Sequence, residues 1–179
     1  MKQIILTVFL GATAMSNAQV VIGNATGTAA VKTSVLLEFP ANENKGLILP
    51  YVRTLPAAPA EGTMLLDATD PTKARIKYYN GAWVDLSGQD SNVTSALAAQ
   101  PTAAQTPETP SAKVVIGASS STANGVLVLE STTRSMVLPI VADVQNIQNP
   151  SPGMMVYVNK AGAKRLAVFN GSKWSYWKS

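Results

Sequence analysis

The chain has 179 residues, 14 basic and 10 acidic side chains, a net charge of +4, 46% apolar residues, no histidine and no cysteine. The two absences remove Ser-His-Asp and Cys-His catalysis, zinc sites built on imidazole or thiolate, and every disulfide. Stability has to come from packing alone.

At the N-terminus Lys2 precedes an apolar run over 4–12, and Ser16, Asn17 and Ala18 form a small-x-small cleavage pattern that leaves Gln19 first. This reads as an export signal over 1–18, leading to the periplasm, the cell surface or the extracellular space. The run is shorter than the roughly 20 apolar residues of a membrane span, and no later stretch approaches that length.

From Val20 the apolar runs are short and bounded by Gly, Pro, Asn or Asp, which predicts strands over 20–22, 34–39, 46–49, 63–67, 76–79 and 83–86. Asn80-Gly81 between two such runs predicts a hairpin with a type I′ turn. Asp67, Thr69 and Asp70 lack the glycine and closing glutamate of a calcium loop, so Asp70-Pro71 reads as a turn. Glu38, beside Phe39, reads as a solvated or hydrogen-bonded residue at a strand end.

Residues 88–112 hold three prolines and no aromatic residue, the composition of a disordered linker, although SALAA could form one helical turn. After it the chain repeats itself in unchanged order. VVIG at 20–23 returns at 114–117, Leu37-Glu38 as Leu129-Glu130, KGLILP at 45–50 as RSMVLP at 134–139, EGTMLL at 61–66 as PGMMVY at 152–157, and YYNGAW at 78–83 as VFNGSKW at 168–174. A duplicated supersecondary unit explains this. The organisation expected is an export signal over 1–18, a first β module over 19–87, a linker over 88–112 and a second β module over 113–179. Between the proline strand and the glycine turn the copies differ: the first is proline-rich, and the second could form a short helix capped by Asp143.

The first copy has six basic and six acidic residues, whereas the second has seven basic residues against Glu130 and Asp143. Anion-seeking behaviour would belong to the second copy. Its last hairpin sets Lys164, Arg165 and Lys173 among Trp174, Tyr176 and Trp177, and aromatic faces beside cations can stack on sugars and hold anions. Tyr176, Trp174, Lys164, Arg165 and Lys173 are the candidate ligand-binding residues. The competing reading is a tryptophan clamping its own hairpin among ordinary solubilising lysines. Trp83 matches Trp174, whereas Asp85 stands where the second copy has Tyr176. No catalytic residue, metal site or cofactor is expected.

The segments VVIGNATGTAAVKTSVLLEF, KGLILP and PAEGTMLLDATDPTKARIKYYNGAWVDLS resemble repeated β-rich modules of secreted proteins from flavobacteria and other Bacteroidetes. These are similar to neck and shaft segments of phage tail fibres, and the resemblance implies homotrimers of interleaved strands. The expectation is an all-β, non-catalytic, exported structural or interaction protein of the cell envelope or surface, fibre-like in form. It would associate with itself or with another envelope protein. The alternative is a glycan- or anion-binding module, with lipopolysaccharide among its ligands. Nucleic acid is not an expected partner. Two assemblies stay open, a fibre-like trimer and a monomer of two beads.

Overall fold

The computed structural model describes residues 19–23, 27–107, 109 and 111–177; the export signal expected over 1–18 lies outside them. Within the described residues the chain is nearly all β, with fourteen strands, one short helix and one 3-10 turn. The first copy forms β1 (Val20–Val21), β2 (Val35–Glu38), β3 (Leu47–Ile48), β4 (Tyr51–Val52), β5 (Met64–Asp67), β6 (Arg75–Tyr79) and β7 (Trp83–Asp85). Helix α1 (Thr94–Ala98) follows. The second copy forms β8 (Val114–Ile116), β9 (Leu127–Leu129), β10 (Ser135–Val137), β11 (Ile140–Val141), β12 (Met154–Val158), β13 (Arg165–Phe169) and β14 (Trp174–Trp177).

Each copy ends in a four-strand unit, β4-β5-β6-β7 or β11-β12-β13-β14. Matched residues take the same register. Tyr51 lies opposite Leu66 as Ile140 lies opposite Tyr157, and Met64 opposite Tyr78 as Met155 opposite Val168. Pro50 O accepts from Leu66 N–H at 2.9 Å, and Pro139 O from Tyr157 N–H at the same distance. A proline carbonyl needs no N–H of its own, so it can start a strand at an edge.

The copies share sheets, so the two-bead alternative does not describe the chain. β3 of the first copy adds antiparallel to β12 of the second, with Leu47 opposite Met155 and Ile48 opposite Met154. In return β10 of the second copy adds parallel to β2 of the first. The step between copies falls at one residue: Leu49 N–H donates to Gly153 O at 3.0 Å, in the second copy, and the next carbonyl, Pro50 O, serves the first. Gly153 is suited to this crossing, because its φ is +78° and a Cβ there would stand 3.2 Å from the Tyr51 ring. Tyr51 OH also reaches Pro152 O at 2.7 Å. The central core draws on both copies, with Leu49, Leu66 and Ile76 packed on Met155 and Val168. Burying each such side chain contributes about 1.5–3 kcal/mol.

The segment read as a disordered linker departs from that expectation in its first half. Ala74 and Ser91 exchange two backbone hydrogen bonds, Val93 and Leu97 are buried in the central core, and Arg53 donates to Leu97 O at 2.9 Å. Two apolar residues four apart suffice to fix one helical turn on a core that other strands have already built. Residues 101–107 are exposed.

The type I′ turns are also corrected. Tyr79 pairs with Trp83 and Phe169 with Trp174, leaving three and four loop residues in place of two. Gly81 and Gly171 have positive φ, but neither asparagine does. The asparagine does different work: buried Asn170 accepts from the N–H groups of Ser172 and Lys173, each at 3.0 Å, bracing the longer loop. The short helix expected after β11 is a 3-10 turn, Val144–Asn146, with Asp143 accepting from Gln145 N–H.

Candidate interaction site

Alternation along β13 and β14 places Arg165, Ala167, Phe169, Trp174 and Tyr176 on one face. Trp174 leans on Phe169, ring centres 5.2 Å apart, and packs against the cluster around Val156 and Val141. The Arg165 guanidinium lies 4.1 Å over the Tyr176 ring, a cation-π contact, and its buried Nε has no hydrogen-bond partner among the described residues. Tyr176 remains 42% exposed. The lysines do not join this group. Lys164 precedes β13 and Lys173 precedes β14, and because Leu166 faces Trp177 while Phe169 faces Trp174, the two stand at opposite ends of the hairpin. The structure therefore brings Arg165 and Tyr176 together, assigns Trp174 to packing, and separates Lys164 from Lys173. The opposite face docks on the first copy, where Trp177 Nε1 donates to Leu86 O at 3.0 Å and Ser175 Oγ donates to Ser87 O.

Glu38 is hydrogen-bonded, as expected, but it is not solvated. Its side chain is fully buried, facing Gly27, and accepts from Lys32, Gln19 and Ala29 N–H. A Cβ on Gly27 would run into the Glu38 carboxyl group, so a larger residue there would make the acid shift from its donors. Burial pushes the Glu38 pKa up, yet these donors outweigh it and hold the group below the usual carboxylate range. Asp67 is likewise lowered, its burial outweighed by Lys77 and Thr69. Asp67 and Asp70 accept from the backbone N–H groups of Thr69 and Thr72, the geometry of turn residues.

The most unusual surfaces are open strand edges, whose positions sequence reasoning did not place. Among the described residues β9 pairs only with β8, β10 only with β2, and β3 only with β12. β5 meets β4 only at Leu66 and Asp67, so its edge at Met64 is open. Ile48, Val126 and Leu127 lie exposed along these edges. Beside β10 an apolar groove of about 330 Å³ is lined by Met136, Val137, Leu138, Ile140 and Tyr157. β2, with β1 and β10 on its two edges, buries Val35 to 4%, whereas β9, paired only with β8 among the described residues, leaves the matched Leu127 41% exposed.

Among the described residues the chain is β-rich, its copies trade strands and its outer edges stay apolar and unpaired, the features of a chain that pairs strand to strand with another chain. Consistent with this, residues 115–179 match the family model described as a phage tail like trimerisation region. The match covers the second copy, fits the resemblance to tail-fibre segments, and supports self-association and a fibre-like structural role. No curated protein and no solved structure matches the chain. No helix among the described residues is long and apolar enough to cross a membrane.

Proposed function

We propose that this is an exported structural protein of the cell envelope or surface that works as a homotrimer in a fibre-like assembly. The observation that carries the reading is the trimerisation-type match over a copy that already lends β10 to another β unit and still exposes apolar edges. Light scattering on a sizing column is the test. The expected mass is three times the 18.7 kDa chain, less the export signal if cleaved; a monodisperse monomer at micromolar concentration would overturn the reading. Cleavage after Ala18 during export, read from the intact mass, tests the location.

A second reading, glycan or lipopolysaccharide capture, draws on the exposed Tyr176 ring beside Arg165. It expects salt-sensitive binding that Tyr176→Ala abolishes, and equal binding by the variant would end it.

A further inference from the structure

The joint between the two copies is asymmetric, and its two halves differ. The first copy presents β3 to β12 and receives β10 on β2. Carried to matched positions, this arrangement leaves two vacancies that complement each other. On the second copy, β10 is the counterpart of β3, and its outer edge, flanked by the Tyr157 groove, pairs with nothing among the described residues; β9 is the counterpart of β2, and its outer edge is equally bare among them. On the first copy, the Met64 edge of β5 is the counterpart of the Met155 edge that holds β3, and the outer edge of β3 is the counterpart of the one β10 lays on β2. The exposed residues fall where this predicts: Ile48 on β3, Leu127 on β9.

Resting on the self-association reading above, we propose that the second copy of one chain docks on the first copy of a second chain, repeating the intrachain joint. The register follows from the pairing within one chain. Met136 lies opposite Met64 of the second chain and Val137 opposite its Thr63, antiparallel, with Leu138 N–H donating to Gly62 O. In parallel, Leu129 lies beside Leu47 of the second chain and Glu130 beside its Ile48. The contact is head-to-tail. Such an interface generates a closed ring if the rotation per joint closes, as it does after three chains in a cyclic trimer, and an open fibre if it does not.

The absence of cysteine makes the register directly testable. In the intrachain joint Leu47 and Met155 are bonded neighbours of the Leu49–Gly153 crossing, so Ile48 and Met154 form the non-hydrogen-bonded pair between them. Cα atoms of such a pair lie about 4.5 Å apart, within disulfide reach. Thr63→Cys and Val137→Cys, made in separate full-length chains and coexpressed, should give a disulfide-linked dimer under mild oxidation that neither variant gives alone. Both substitutions in one chain should give a ladder of linked species. Ile48→Cys with Met154→Cys in one chain is the internal control and should close within the chain; failure there means that the joint is not as described and overturns the proposal. An oligomer by light scattering with no Thr63→Cys to Val137→Cys product overturns this joint while leaving self-association standing. So does cross-linking of Thr63→Cys to Ile48→Cys between chains, which would show first copies joined to first copies. A monomer overturns both readings.

Discussion

Glu38 shows how much one residue can depend on its neighbours. A carboxylate without water is stable only if its donors are in place, and Lys32, Gln19 and Ala29 N–H supply them. Its folded pKa is lowered, so the stabilisation is present above the ordinary value near 4.5 and is lost as pH falls through the lower folded value. Asp67 acts in the same direction. Glu38→Gln should cost about 2 kcal/mol at neutral pH, a fall in Tm of about 4–8 °C at this chain length. The gap from wild type should narrow as pH drops below 4. Thermal melts at pH 7 and pH 3.5 measure both; a constant gap would mean that the carboxylate charge contributes nothing. That Glu38 is hydrogen-bonded was legible in the sequence; its burial was not, because an acid after two leucines looks the same exposed or buried. Trp174 packs on Phe169 as Trp83 packs on Tyr79, which fits the reading of a tryptophan that clamps its own hairpin. The separation of Lys164 from Lys173 was not legible, since closeness along the chain conceals a hairpin's length between them.

At the level of elements, the strands stood out because their apolar runs are punctuated by turn residues. Their partners did not, because a strand of two residues such as β3 carries too little pattern to specify a register or a neighbour. Helix α1 was legible as a helical turn in SALAA, but its docking was not, because Val93, Ala96 and Leu97 are too few apolar residues to announce a face on the core. The two hairpin loops allow a matched comparison. Gly81 and Gly171 both have positive φ, so alanine costs about 1–3 kcal/mol of backbone strain at either. A Cβ at Gly81 meets nothing, whereas at Gly171 it meets Ser91 Oγ at 2.8 Å and Val93 Cγ1 at 3.1 Å. Gly171→Ala should therefore lose about 1–3 kcal/mol more than Gly81→Ala. Equal denaturant midpoints would show that residues 91–93 do not pack on the second hairpin.

For the molecule as a whole, the recurrence of motifs was readable and the exchange of strands was not. Repeated motifs announce two similar units, but they do not say whether a unit uses its own strands or its neighbour's. The isolated second copy, residues 113–179, would lose β3 from Met154 and Met155 and the first-copy half of the central core. It should be folded by circular dichroism only where sizing shows it associated; a folded monomer would mean that the shared core is dispensable. The same exchange sets a timetable for folding. Leu47 finds its partner only when Met155 exists, more than a hundred residues later, and contacts so distant along a chain form slowly. During synthesis the first copy is complete in sequence long before it is complete in structure, so a ribosome would hold a soft, unclosed first copy until the last hairpin emerges.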